Sequence, residues 1–224
     1  AVPSGNPELP WTVRLALRQT QAGEPFTFTV PVAVTLEGRD EPLWVEAGSC
    51  HRDCVVEIPC PARPLRLDVD PAFDVMRRLD PLEVPPALST VFGAVDPLFV
   101  LPAAAPESEQ AAWRELAAVW AQPAEPRIAL DSELAEMPEV AAWILGWSNR
   151  FSAEVAGRLG EHGVALDGDR LLLSGESFPR GDRSVVLVAR SAADPADAIG
   201  WVAAGPVAAV PGLARKLPHY TRYS

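Results

Sequence analysis

Thiol and imidazole groups that suit a metal ion lie close together in residues 50–60, where the sequence places Cys50, His51, Cys54 and Cys60. Thiolate and imidazole are common zinc ligands, but most zinc sites use two ligand pairs separated by a longer loop, which this stretch lacks. Cys54 and Cys60 differ by an even number of positions, which on a strand puts them on one face about 20 Å apart. We therefore expect free, partly buried thiols rather than a metal site. A disulfide from Cys50 to Cys54 or to Cys60 is the alternative in an oxidising compartment.

A second set of polar residues follows two apolar runs in the C-terminal half. The first group is Trp147, Ser148 and Asn149, and the second is Arg190, Ser191 and Asp194. Open α/β sheets bind ligands beyond the carboxyl ends of their strands, so both groups together predict a crevice for a small anion, a nucleotide or a sugar. The glycines of a phosphate-binding loop are absent from residues 146–149. The competing interpretation is therefore a strand-to-helix turn capped by Ser148 or Asn149.

No residue pattern predicts a catalytic centre in this segment. The three histidines are His51, His162 and His219, and none has a second histidine four positions away, as a helical zinc-protease motif requires. An independent enzyme would have to use Ser148 or Ser191 as its nucleophile, with a carboxylate or a distant histidine as the base. We therefore predict no catalytic residue and no cofactor here.

Charge and hydropathy exclude two classes of partner. The formal net charge is -11 at pH 7, and the longest basic run outside the C-terminal tail is Arg77-Arg78, so the chain repels nucleic acid and anionic membrane surfaces. No apolar run approaches the roughly 20 residues that a helix needs to span a bilayer.

The elements that must position these residues are predicted by the hydrophobic period, which changes once, near residues 79–86. Before this point, apolar residues alternate over residues 11–17, 26–36, 43–46, 55–58 and 65–69. Short alternating segments separated by turns predict an antiparallel β-sandwich over residues 1–80. Pro31 has no N–H for a strand ladder, so we expect a sheet edge or a bulge at that position.

A proline-rich connector and a short helix are predicted for residues 81–92, and an α/β domain for residues 93–224. In that domain, apolar runs at residues 98–101, 127–130, 140–145, 171–173, 184–189 and 199–203 predict strands. Helices are predicted at residues 107–121, 152–159 and 206–217, with a further short one capped by Asp194. This order predicts a three-layer, doubly wound domain with a mostly parallel sheet. Trp113, Trp143 and Trp201 are expected in its core, whereas Trp147 is expected to line the pocket.

A resemblance to a known family is carried by residues 63–81, which read RPLRLDVDPAFDVMRRLDP. With the strand pattern before it, this run resembles the post-catalytic β-sandwich of bacterial M1-type (gluzincin) aminopeptidases, whose last strand has a similar Pro-x-x-Leu-x-x-Asp-Pro run. The resemblance covers about residues 9–93. The family's zinc motif, His-Glu-x-x-His with a downstream Glu, is absent, as is its Gly-x-Met-Glu-Asn substrate motif. The best-known members also end in an all-helical domain, where this chain continues as α/β.

The resemblance implies a non-catalytic C-terminal accessory region of a zinc aminopeptidase, which braces the catalytic domain, shapes substrate access or mediates assembly. It places the zinc in a catalytic domain outside this segment and makes that domain, on the same polypeptide, the expected partner. It also implies a periplasmic or cell-envelope location. We expect Ala1 to be a processed start or a cut within a longer chain, and Ser224 to be followed by further structure. The alternative is a small-ligand-binding or protein-interaction α/β module with its site near residues 147–149.

Overall fold

A computed structural model describes residues 1–49, 51–168, 170–181 and 183–222. The chain divides into two compact units, Ala1–Arg78 and Leu79–Ser224. The first unit is built from strands and the second combines helices with strands. The chain is therefore a β-rich unit followed by an α/β unit, as the change of hydrophobic period predicts.

The first unit contains two three-stranded antiparallel sheets. Strands β1 (Val2–Pro3), β2 (Trp11–Arg18) and β5 (Asp53–Cys60) form one sheet, in the order β1-β2-β5. Strands β4 (Leu43–Ser49), β3 (Phe28–Leu36) and β6 (Pro64–Val69) form the other, in the order β4-β3-β6. A strand is present at each position where the alternation predicts one, because alternate residues of a half-buried strand face the core.

One apolar cluster joins the two sheets of this unit. Val32, Val34 and Leu36 on β3 pack with Ile58 and Cys60 on β5, and each is at most 2% exposed. Pro31 lies on the central strand β3, but the ladder to β6 begins only at Val32, and the carbonyl of Pro31 accepts from the N–H of Asp70 at 2.7 Å. Pro31 is also paired with Glu46 of β4, so it lies within a central strand. The expected sheet edge or bulge is therefore not at this position, and the register shift of β3 falls between Thr35 and Leu36.

The second unit contains eight strands and four α-helices in its described residues. The strands are β7 (Leu98–Leu101), β8 (Arg127–Leu130), β9 (Ala142–Leu145), β10 (Val164–Asp167), β11 (Arg170–Leu173), β12 (Glu176–Pro179), β13 (Val185–Arg190) and β14 (Ala198–Ala203). The helices are α1 (Leu88–Phe92), α2 (Glu107–Trp120), α3 (Ser152–Arg158) and α4 (Val210–Lys216). Short 3-10 turns at Pro81–Glu83, Asp131–Glu133, Gly160–His162, Val207–Ala209 and Leu217–Arg222 complete it.

The main sheet of this unit has five strands in the order β13-β14-β9-β7-β8. Its pairs are parallel except for the antiparallel pair of β13 and β14. Every residue of β9 and of β14 is buried, as is typical of parallel strands covered on both faces. Strands β10, β11 and β12 form a separate antiparallel sheet, so the run at residues 171–173 does not belong to the main sheet.

The predicted short helix after Asp194 is wrong. Residues 191–197 join β13 to β14 through a turn, in which the Oδ1 atom of Asp194 accepts from the N–H of Ala196 at 2.8 Å. A parallel crossover needs about a dozen or more residues, so this short connection forces the two strands to pair antiparallel.

An apolar cluster covers each face of the main sheet. On one face, Phe99, Trp143 and Val202 pack against side chains of α1, α2 and α4. On the other face, Val100 and Trp201 pack against α3 and the small sheet. Within the described ranges, no helix is both long enough and apolar enough to cross a membrane.

Candidate functional site

Asn149 ties together the carboxyl ends of two strands. Its side chain is almost completely buried, and its Nδ2 atom donates to the carbonyls of Val100 (2.9 Å) and Leu145 (3.2 Å). Its Oδ1 atom accepts from the N–H of Phe151 at 3.1 Å, just before α3. The amide is thus engaged with backbone groups of β7, β9 and the helix start. Asn149 therefore holds a strand-to-helix turn, and both N–H donors of its amide are used in doing so.

Of the two residues before Asn149 in the same loop, Trp147 is buried and Ser148 is half-buried. Trp147 is 9% exposed and packs edge-to-face on Trp201, with ring centroids 5.4 Å apart. It therefore belongs to the core, contrary to the expectation that it lines a pocket. The Nε1 atom of Trp147 and the Oγ atom of Ser148 are buried without a hydrogen-bond partner among the described residues. The indole N–H of Trp147 and the hydroxyl of Ser148 can therefore each form a hydrogen bond with a bound water or a small polar ligand.

The second predicted group also makes structural bonds. The guanidinium of Arg190 donates to the carbonyls of Pro81 (2.6 Å), Val84 (2.6 Å) and Pro195 (2.7 Å). The buried Ser191 hydroxyl donates to the carbonyl of Glu139 at 3.3 Å. Arg190 therefore secures the segment after the Asp80-Pro81 pair, and Ser191 secures the loop before β9.

The two predicted groups do not share one crevice. Because β13 is antiparallel to β14, Arg190 at the end of β13 pairs with Ala198 at the start of β14. The parallel pair of β14 and β9 places Ala142 beside Ile199 and Leu145 beside Val202. Residues 147–149 therefore follow the carboxyl end of β9, while residues 190–194 lie at the amino end of the same sheet. The prediction of a single crevice fails because it assumed that β13 runs parallel to its neighbours.

An open cleft of about 450 Å³ lies beside α3. We name it the α3 cleft; it is lined by residues 135–139, 150–151, 154, 158 and 192–193. Arg158 donates to the Oε1 atom of Glu154 at 3.0 Å and to the carbonyl of Arg190 at 3.3 Å. The Arg150 guanidinium lies 4.7 Å from the centroid of the Phe151 ring. With Glu136 and Glu139 also in the lining, the cleft presents charges of both signs.

Asp131 is a structural residue of this region that sequence reasoning missed. Its side chain is 4% exposed, although it is a carboxylate directly after strand β8. The Oδ1 atom accepts from the N–H of Ala103 and the Oδ2 atom from the N–H of Arg150, each at 2.8 Å. Asp131 thereby joins the loops that follow β7 and β9 and positions Arg150 in the α3 cleft. The feature of the sequence that could have indicated this role is an acidic residue directly after an apolar strand.

The cysteine-rich stretch shows separate thiols in its described residues; Cys50 lies outside them. Cys54 and Cys60 are free and both lie on β5, on its core-facing side. Burial raises the pKa of the Cys60 thiol above its ordinary value, and a hydrogen bond involving the backbone of Val13 opposes this effect. Within the described part of the chain, no three His, Cys, Asp or Glu side chains come together as a metal site.

A carboxylate-centred turn lies within residues 63–81. Asp70 is completely buried with φ of 52°, and its Oδ1 atom accepts from the N–H groups of Asp74 (2.7 Å) and Val75 (3.2 Å). Its Oδ2 atom accepts from the Nε atom of Arg77 at 3.0 Å. The left-handed conformation is one that aspartate tolerates better than most residues. We call residues 70–77 the Asp70 turn.

Comparison with protein families, with curated proteins and with solved structures finds no match for this chain.

Proposed function

We propose that this chain is a non-catalytic C-terminal accessory region of an M1-like zinc aminopeptidase. In this proposal the first unit is a β-sandwich and the second a doubly wound, three-layer α/β domain. The cluster shared by the two small sheets supports the sandwich, and the clusters on both faces of the main sheet support the layered arrangement.

The observation that carries the proposal is the Asp70 turn within the run that resembles the family. A buried carboxylate with four hydrogen bonds gives the Asp-Pro pattern a structural role that is independent of catalysis. The Asp80-Pro81 pair that closes the run has a similar role, because Asp80 and Glu83 form a reciprocal capping box. Two turns that are each fixed by local hydrogen bonds suit a module that braces a larger protein.

The state of the buried polar side chains also supports an accessory role. Asp131, Asn149 and Ser191 bond backbone groups and hold loops in place. A catalytic acid, base or nucleophile must instead present its reactive atom to a substrate.

The proposal is tested on the natural gene and the longest polypeptide that it encodes. We expect an upstream His-Glu-x-x-His motif, bound zinc, and hydrolysis of leucine p-nitroanilide by the longer protein. Residues 1–224 expressed alone should bind no stoichiometric zinc and should not hydrolyse this substrate. A gene without an upstream zinc motif would overturn the proposal, as would zinc-dependent hydrolysis by residues 1–224 alone.

The alternative, a small-ligand-binding module, is favoured by the α3 cleft, which lies one residue from Asn149. Guanidinium and carboxylate groups on its walls fit a ligand that carries both charges, such as a free amino acid. Calorimetry with L-leucine tests this function: binding that Arg158→Met abolishes would favour it over the accessory role. Absence of heat with L-leucine at millimolar concentration would count against it.

A further inference from the structure

A second cavity lies at the end of the main sheet opposite to residues 147–149. It has a volume of about 360 Å³ and is bounded by the segments that precede β7 and β8 and by the end of α2. Phe92, Trp120 and Trp143 form its aromatic wall, and Asp96, Glu125 and Arg127 line its mouth. We name it the aromatic cavity. Its volume fits a ligand with one aromatic ring and a short chain.

The aromatic wall is held rigidly by its neighbours. The centroid of the Trp143 ring lies 4.7 Å from those of Phe92 and Trp120, and the latter two are 4.9 Å apart. The indole Nε1 atom of Trp120 donates to the carbonyl of Ala214 at 2.9 Å, which fixes the ring orientation. Behind this wall, Trp143 packs on Gly200, where an added Cβ would lie only 2.4 Å from the ring. The cavity wall is thus preorganised.

The side chains at the mouth of the cavity have a net negative charge. Arg127 is neutralised by Asp96, since its Nη1 atom lies 3.3 Å from the Oδ2 atom and 3.2 Å from the carbonyl oxygen of Asp96. Glu125 adds a carboxylate to the same lining. Helix α2 ends at Trp120, so the negative end of its dipole also faces this region. The lining therefore combines aromatic surface with negative electrostatic potential.

We propose that the aromatic cavity binds a small organic cation, an ammonium group carried on an aromatic or branched aliphatic body. The apolar body is buried against Phe92, Trp120 and Trp143, while the ammonium lies near the Glu125 and Asp96 carboxylates. Aromatic faces themselves attract cations, which adds to the preference. This proposal is independent of the proposed function, because it needs neither a catalytic domain nor the α3 cleft.

Three probes of similar size and different charge test the proposal on the full chain: 2-phenylethylammonium, 2-phenylethanol and phenylacetate. Calorimetry should show the ammonium binding about tenfold more tightly than phenylacetate, with the alcohol between them, as Coulomb energies at a partly exposed site predict. The side-chain Nε1–H resonance of Trp120 should shift during the ammonium titration. Equal affinity for the three probes, or no binding of the ammonium, would overturn the proposal.

Matched variants locate the binding and separate charge from shape. Ala124→Leu fills the cavity from its exposed lining and should abolish binding, whereas Ala118→Leu, exposed on α2 outside the lining, should leave it unchanged. Asp96→Asn frees the positive charge of Arg127 and should weaken ammonium binding about fivefold while it strengthens phenylacetate binding. Retained ammonium binding in Ala124→Leu would place the ligand elsewhere and overturn the proposal. Unchanged affinities in Asp96→Asn would overturn the electrostatic part.

Discussion

The Oδ2 atom of Asp70 accepts a hydrogen bond from the Nε atom of Arg77 at 3.0 Å, and this pair closes the turn that follows strand β6. Asp70 is completely buried, whereas the Arg77 side chain retains 23% of its exposure. A buried carboxylate is tolerated only when it is paired and hydrogen-bonded, so the turn and the ion pair depend on each other. The backbone of residues 70–77 is therefore fixed by local physical chemistry.

Replacing the buried carboxylate should destabilise the first unit. Asparagine keeps the left-handed backbone of residue 70, but in Asp70→Asn an amide replaces the charge that accepts from Arg77. We expect the free energy of unfolding to fall by about 2 to 3 kcal/mol, measured by urea denaturation with circular dichroism. The control is Asp68→Asn, whose partner Arg66 is 74% exposed; it should lose less than about 1 kcal/mol. Equal losses in the two variants would contradict the structural role of Asp70.

Removal of the Asp131 carboxylate should loosen two loops at once. In Asp131→Ala the N–H groups of Ala103 and Arg150 lose their acceptor, which costs about 2 to 4 kcal/mol of stability in the second unit. Hydrogen exchange followed by mass spectrometry should show faster exchange in residues 102–106 and 146–151. Glu115→Ala, at an exposed position on α2, serves as the control and should leave both loops protected. Unchanged exchange in Asp131→Ala would show that the loops hold without it.

Gly200 on β14 should accept no side chain without a shift of Trp143. An alanine Cβ would lie 2.4 Å from two ring carbons, so Gly200→Ala should destabilise the second unit by about 1 to 3 kcal/mol. The matched change Gly157→Ala on α3 meets no atom within 4 Å and should stabilise the chain by about 0.5 to 1 kcal/mol. Thermal unfolding of both variants measures the difference. A stabilised Gly200→Ala would show that Trp143 moves freely.

The two described cysteines should differ in reactivity, and the difference should depend on pH. The thiolate is the reactive form, and burial raises the pKa of Cys60 above the ordinary 9.0, so Cys60 should remain a thiol at pH values where exposed thiols ionise. Iodoacetamide should modify the half-buried Cys54 at least about tenfold faster than Cys60, as peptide mass spectrometry can measure. In concentrated urea the two rates should converge. Similar rates in the folded protein would contradict the burial of Cys60.

The raised pKa of Cys60 also sets the sign of its contribution to stability. The unfolded chain releases this proton near pH 9.0, before the folded chain does. The stabilisation that the neutral Cys60 thiol contributes is therefore fully present below pH 9.0. It is lost as the pH rises through the higher pKa of the folded state. Cys60→Ala should remove this alkaline component from the pH dependence of unfolding, whereas Cys54→Ala should retain it.

Most strand positions, but not those of β10 and β12, were predictable from the sequence, because burial acts on each strand locally. The alternation in β2, β3 and β6 indicates that one face of each strand packs against a core. The continuous apolar runs of β9 and β14 indicate strands that are buried on both faces. Burial of Trp113, Trp143 and Trp201 was predictable for the same reason. Cys54 and Cys60 were correctly placed on one strand face, because the two-residue period of a strand requires it.

The relations between distant residues were decided only by the tertiary structure. The direction of β13 depends on the short connection to β14, and it separates residues 147–149 from residues 190–194. The bonds of Asp131 and Asn149 join loops that are far apart in the sequence, and the aromatic cavity forms where the ends of α1 and α2 meet β9. By itself, the sequence determined where most strands and helices lie and that Trp113, Trp143 and Trp201 are buried. Which of those segments become neighbours was decided by packing, because strand pairing and cavity formation depend on non-local contacts that a local period does not encode.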